Sequence, residues 1–321
     1  MERLATGWAI FQGLLLEALP FLLIGVLVAA LARWLSPQGE WVQCLPSHPL
    51  LGPLSGAALG FALPACECGN VPVARRLLAG GAPLGTALGF LFAAPVLNPI
   101  VLASTWAAFP DQPWLLIARP LGALLLALGL SLLLGRLPEA GLLSAPLLEE
   151  RRLSQPLSSQ SLLQRRSGLV GQPAPASRPP IGRRQQRPPL AEVWAHSSRE
   201  FLDLGALLVL GCAIAAAVQT FLPRQWLLSV GAAPTLSVLS LMLLAVVVSV
   251  CSSVDAFLAL GFAAQVTPGA LLAFLVLGPV VDLKLLGLLG VVLTPRAIAL
   301  TAASAALLVL LFGQWLNLLL L

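Results

Sequence analysis

Long stretches of this 321-residue chain are apolar on every side. They show neither the strict alternation of a membrane strand nor the polar face of a surface helix. A bilayer core about 30 Å thick is crossed by roughly 20 mostly apolar residues in helical form. Stretches of that kind run near Trp8–Ala32, Leu50–Pro64, Leu84–Phe109, Trp114–Leu134, Ser198–Leu222, Thr235–Val250, Gly269–Leu289 and Ala297–Leu318. The pattern predicts an all-α polytopic membrane protein with about eight transmembrane helices, some of them broken or re-entrant. The second stretch is short for a crossing. The first, Gly7–Ala32, lacks the short core and small-residue cleavage site of a removable leader and is expected to stay as a helix.

Composition sharpens this picture. Hydrophobic residues make up 58% of the chain and charged residues 10%, which excludes an ordinary soluble domain. From Leu137 to His196 the apolar pattern collapses into a Pro-, Ser- and Gln-rich stretch with the basic pairs Arg151-Arg152, Arg165-Arg166 and Arg183-Arg184. Ten of the 18 basic residues lie between Arg136 and Arg199, so the net charge of +5 reads as a topology signal rather than as a nucleic-acid surface. The expected organisation is a first membrane repeat over 1–136, a disordered cytoplasmic linker over 137–196 and a second membrane repeat over 197–321. Arg75 and Arg76 fall on the linker's side in the same count.

The flanking segments resemble each other. An offset of 184 pairs Gly85 with Gly269, Phe90 with Phe274 and Pro95 with Pro279, and sets Asn98 opposite Asp282; an offset of 183 pairs Glu17 with Glu200 and Cys68 with Cys251. Internal repeats of this kind build many secondary transporters, with the substrate site at the repeat interface. Four crossings per half make the repeats parallel and leave both termini on the linker's side. A further pass, with the Cys66–Leu78 region entering the membrane, makes them inverted. Both arrangements remain open on sequence.

The chemistry concentrates where helices must break. Pro64-Ala65-Cys66-Glu67-Cys68-Gly69-Asn70-Val71-Pro72 follows the short stretch, and broken backbone at membrane depth survives only against protein or a water-filled cavity. The alternative is a plain loop leading to Arg75. Thiols select soft metals and metalloids, so Cys66, Cys68 and Cys251 form a candidate soft-ligand site, against the plainer reading of buried apolar cysteines. Cys251-Ser252-Ser253-Val254-Asp255 occupies the matching place in the second half. Asp255, Asp282 and Lys284 interrupt apolar runs, and intramembrane charges need partners or water; the alternative for Asp282 and Lys284 is the end of a span, with Lys284 snorkelling. Asn98, within Ala94-Pro95-Val96-Leu97-Asn98-Pro99, is the uncharged counterpart of Asp282 in a proline-broken helix. The candidate solute path is therefore Cys66, Glu67, Cys68, Asn70, Asn98, Cys251, Ser252, Asp255, Asp282 and Lys284.

No nucleotide-binding loop is present and the chain holds 2 histidines, which argues against an ATP-driven pump and against His-based catalysis. Pro64–Leu77 (PACECGNVPVARRL), followed by Phe90, Pro95, Asn98-Pro99 and Thr105, resembles the bacterial family of predicted permeases that includes the organoarsenical efflux permeases. Cys251-Ser252, Asp255-Ala256-Phe257 and Gly278-Pro279 with Asp282 and Lys284 resemble the same family's second signature. The resemblance covers both membrane halves but not the linker. It implies a multi-pass permease of the bacterial inner membrane, not an enzyme and without a cofactor, whose partners are the lipid bilayer, a small solute and either further copies or another membrane protein. Arsenical export belongs to part of the family. The expected activity is movement of a small solute, such as a soft metal or trivalent arsenical, driven by an ion gradient with the carboxylates as proton carriers. The rival readings are a membrane thiol oxidoreductase using Cys66 and Cys68, and a non-transporting subunit that anchors a partner through the linker.

Overall fold

The computed structural model describes residues 2–35, 42, 44–63, 66–154, 189–221 and 234–320. The first half contributes α1 (Glu2–Leu35), α2 (Leu51–Ala62), α3 (Glu67–Ala79), α4 (Leu84–Ala93), α5 (Pro99–Ala108) and α6 (Pro113–Leu134). Two short helices follow, α7 (Glu139–Leu142) and α8 (Ala145–Ser154). The second half repeats the first six elements in order: α9 (Leu190–Phe221), α10 (Pro234–Val248), α11 (Asp255–Leu260), α12 (Pro268–Leu277), α13 (Leu283–Leu289) and α14 (Pro295–Leu320). Each half thus reads long, short, short, half-length, half-length, long. The described residues outside the short turns are helical throughout, as the hydrophobic pattern predicts.

Among the described residues, four helices, α1, α6, α9 and α14, are long and apolar enough to cross a membrane. The others are too short alone: α2, with 12 residues, extends about 18 Å at 1.5 Å per residue. Their pairing explains them. Gly52 and Gly60 of α2 lie against Thr86 of α4 and Ala94 just beyond it, so α2 and α4 run the same way. The turn from α3 into α4 includes Gly81 at φ +90°, a left-handed conformation that glycine adopts without a Cβ clash. It sends α3 antiparallel to α4. Consequently α2 and α3 form a hairpin that enters and leaves at one end of the bundle. Then α4 and α5, joined through Ala94–Asn98, together make one broken crossing. In the second half α10 and α12 also run the same way, with Val238 and Gly269 both at Gly313 and Ala245 at Gly278.

Each half therefore has three crossings and one hairpin, and an odd number of crossings turns the second half over. The direct contacts agree. Helices α1 and α9 are antiparallel, with Gly7 against Thr220 at one end and Arg33 beside His196 at the other. Helices α6 and α14 are antiparallel too, Gly122 meeting Phe312 and Gly129 meeting Leu308. These contacts set the paired long helices of the two halves antiparallel, with the same order of elements in each half. The eight membrane segments predicted from hydropathy are present, and two of them double back.

Close approach holds the segments together, because lipid offers no hydrophobic drive between helices and small residues let backbones touch. Gly25 packs on the Gly69 backbone, Gly56 on the Thr86 carbonyl and Gly269 on the Gly313 carbonyl. Large apolar side chains such as Leu16, Trp106, Ile117 and Leu318 point outward, as a lipid-facing surface requires.

Helices occupy both margins of the expected linker. Residues 155–188 lie outside the described residues, while α7, α8 and the first turns of α9 occupy its margins. The physical reason is a set of ion pairs. Arg151 donates to the carbonyls of Leu78 and Ala82 at 2.9 and 2.7 Å and pairs with Glu139 at 3.1 Å. Arg75 joins Glu150 of α8 at 2.9 Å to Glu200 of α9 at 3.0 Å. Basic residues read from sequence as solvated are in part structural.

Candidate functional site

The two hairpins end on polar residues, and their tips meet. Cys66 is the N-cap of α3 and Glu67 its first residue; Val254 and Asp255 hold the same places on α11. Across the interface between the halves α3 packs on α13, and its counterpart α11 packs on α5, so the same contact is made twice. At the meeting point the Cys66 and Cys251 thiols and a Glu67 carboxylate oxygen all lie within 4.8 Å of one another, and all three residues are buried. The Ser253 hydroxyl donates to the Cys251 sulfur at 3.4 Å, and Cys68 is buried two residues beyond Cys66 on α3. These residues fit a soft cation with one hard ligand added.

Lys284, on α13, stands beside them. Its ammonium is 3.4 Å from Glu67 Oε1 and 3.8 Å from Asp282 Oδ2, with all three side chains about 1% exposed. Asp282 is also the N-cap of α13 and accepts from the Leu285 N–H at 2.5 Å. A carboxylate there is stabilised by the unpaired helix donors. In the first half Asn98 caps α5 by accepting from the Ile100 N–H at 2.9 Å, so the pair aligned by sequence has one structural role and two charges. Asn70 is buried on α3, one turn beyond Glu67. Ser249 ends α10 with φ 48°, a conformation non-glycine residues seldom adopt; its hydroxyl accepts from the Leu283 N–H at 3.0 Å and so ties the second hairpin to α13.

Ser252 and Asp255 lie at a second cluster. Arg119 of α6 donates to Asp255 Oδ1 and Oδ2 at 2.8 and 2.6 Å, to the Ser252 carbonyl at 3.1 Å and to Thr105 Oγ1 at 2.7 Å. Its side chain is fully buried. Both clusters therefore place an acid of one half against a cation of the other: Glu67 with Lys284, and Asp255 with Arg119.

Sequence reasoning missed two participants. Arg119 is a lone charge inside the apolar run Trp114–Leu134, a signal that was there to be read. Glu17 of α1 lies in electrostatic range of Lys284 and Glu67; it entered the sequence argument only as a repeat match. Cys212 sits beside Gly211, whose backbone rests on that of Lys284, so it borders the first cluster from α9. Cys44 is exposed.

Comparison with known proteins identifies the lineage. Residues 4–318 match the family ArsP_1, described as "Predicted permease". The chain belongs to this permease family. It is 35% identical over 277 residues to "UPF0718 protein YcgR" of Bacillus subtilis (strain 168), covering 86% of this chain and 85% of that one. It is 32% identical over 278 residues to the "Putative two-component membrane permease complex subunit" of Streptococcus mutans serotype c, covering 86% and 83%. No solved structure matches this permease. The family and the apolar helices together make it a multi-pass membrane protein, and its relatives are bacterial.

Proposed function

We propose that this permease moves a small thiophilic solute, a soft metal ion or trivalent metalloid species, through the cluster where the two hairpin tips meet. The observation that supports the reading is the convergence of Cys66, Glu67 and Cys251 from opposite repeats at a buried point. A scattered set of structural cysteines has no reason to gather with carboxylates. Thiolates bind soft cations well, and inverted-repeat transporters place their substrates at the repeat interface near the midplane. The energy source in this reading is an ion gradient, with Glu17, Glu67 and Asp282 as proton carriers, and the direction is export across the bacterial plasma membrane.

The test is flux of phenylarsenous acid and of Cd²⁺ in inverted membrane vesicles. Cys66→Ser and Cys251→Ser should each cut the rate at least tenfold, because an alcohol keeps the size and is a poor ligand for soft ions. Unchanged flux with both cysteines replaced would remove the thiol path.

A second reading is favoured by the name of the Streptococcus relative: this chain acts as one subunit of a two-component complex. In that case flux requires coexpression of the second component, and the vesicle assay is run with and without the neighbouring genes of the source genome to decide it.

A further inference from the structure

Among the described residues, the two cations buried between the repeats are held in very different ways. Arg119 makes four contacts of 3.1 Å or less, two of them to one carboxylate. That is the short, charge-assisted geometry of a fixed tie. Lys284 has a 3.4 Å approach to Glu67 and a 3.8 Å approach to Asp282, both beyond the usual 2.7–3.2 Å of a good N–H···O bond. An ammonium with three donors, in a site this dry, is under-bonded.

The acids around it are under-bonded as well. Glu67 Oε2, Asp282 Oδ2 and Glu17 Oε1 are buried without a hydrogen-bond partner. Glu67 and Asp282 approach the ammonium and Glu17 lies within electrostatic range of it, so the cluster carries more negative than positive charge whenever the acids are ionised. A Glu67 carboxylate oxygen and the Cys66 and Cys251 thiols lie within 4.8 Å of one another, a donor set that suits a second, soft cation. Lys284 Nζ lies close enough to compete with it, within electrostatic range of Cys68 and Cys251 as well as the acids. Its main chain packs closely against Gly211 of α9. The flexible four-carbon side chain can yield.

We propose that Lys284 is a resident counter-cation that occupies the place of a thiophilic cation in the empty permease and cedes Glu67 and Asp282 when that cation arrives. This rests on the thiol path proposed above. Arriving cargo takes over the neutralisation of Glu67, and Lys284 takes it back once the cargo leaves. The acids thus never stand bare in the membrane interior, where an uncompensated charge is costly. The lysine sets affinity by competition and favours release.

The experiment is calorimetric titration of Cd²⁺ chloride into the purified full-length protein in detergent, with Mg²⁺ chloride as the hard-ion control, followed by Cd²⁺ flux in vesicles. Lys284→Met should bind Cd²⁺ about tenfold more tightly than the wild type, because a competing like charge is gone, and should transport it more slowly. Lys284→Arg, which keeps the charge, should not show the gain. Equal or weaker Cd²⁺ binding by Lys284→Met overturns the inference while leaving the thiol path in place. An equal gain for Mg²⁺ overturns it too, since the site is then a plain carboxylate site. Absence of Cd²⁺ binding in both wild type and variant removes the thiol path and the inference together. Should Lys284→Met fail to fold, the pair Lys284→Met/Asp282→Asn against Asp282→Asn decides: the first removes one charge of each sign, and it must bind Cd²⁺ more tightly than the second.

Discussion

Arg119 and Asp255 offer the sharpest test of the packing. Their ion pair joins α6 of the first half to α11 of the second at 2.6 Å, fully buried on the arginine side. Removing one member leaves the other charged and dry, which costs about 3–5 kcal/mol, whereas an ordinary neutral hydrogen bond contributes about 1 kcal/mol. Asp255→Asn and Arg119→Met are therefore each expected to shift the unfolding equilibrium by roughly two to four orders of magnitude. Replacing both by apolar residues, as Arg119→Met/Asp255→Leu, removes the pair without orphaning either charge and should recover most of that loss. The coupling in the double-mutant cycle should then be about 3 kcal/mol or more, far above the few tenths expected of independent sites. Unfolding in mixed micelles, followed by tryptophan fluorescence over a denaturing-detergent titration, measures all four proteins. Single variants that lose less than about 1 kcal/mol, or a double variant that loses the sum of the two, would refute a buried inter-repeat tie.

Inverted repeats with three crossings each place both termini opposite α8 and the start of α9: a reporter active only outside the cytoplasm should work when fused after Leu321 and fail when inserted at Ser161, and a cytoplasmic C-terminus would break the argument. Gly56→Ala and Gly269→Ala press a Cβ onto the carbonyls of Thr86 and Gly313, so each should lose about 1–3 kcal/mol by overpacking, while Gly13→Ala, with open space around it, should change little in the same titration. Arg75→Ala frees α8 and α9 from their shared partner, and limited trypsin digestion should then cut faster at Arg151-Arg152; an unchanged rate would show that Arg151 alone holds α8.

Much of this was legible in the chain, and the failures have physical causes. Hydropathy located the four long helices and the shorter apolar ones because lipid exposure forces apolar side chains outward, but not the returning arms α3 and α11. The prolines at Ala94–Pro99 marked a break because proline removes a ladder donor, whereas α3 runs unbroken through Gly69 and Pro72, where a helix break was expected. Doubling back was not legible. Whether a short apolar helix continues or returns depends on what its far end packs against, here Thr86 and Ala94 lying beside Gly52 and Gly60, and such pairings are absent from local pattern. The charged margins of the linker misled for a similar reason: Arg151 looks solvated until the Leu78 and Ala82 carbonyls are brought to it. Glu17 and Arg119 had the signal of a charge within an apolar run, but their partners come from the other half.

The two halves share a scaffold and differ in charge, and that difference bears on how the permease works. With inverted repeats, a conformation open to one side becomes one open to the other when the halves exchange shapes. Two identical halves would make those states equal in energy. Here the equivalent helix caps are Asn98 and Asp282, and the acids at the hairpin tips meet different cations, Lys284 held loosely and Arg119 held tightly. An exchange of shapes therefore does not exchange equal interactions. One hairpin is anchored by a guanidinium that keeps its charge at any physiological pH and fits a carboxylate with several donors. The other rests on an ammonium that a competing cation or a proton on its acids can displace. On the proposed function, this asymmetry would favour one orientation of the empty protein and place the ligand-sensitive contact at the tip of the first hairpin, beside the thiols.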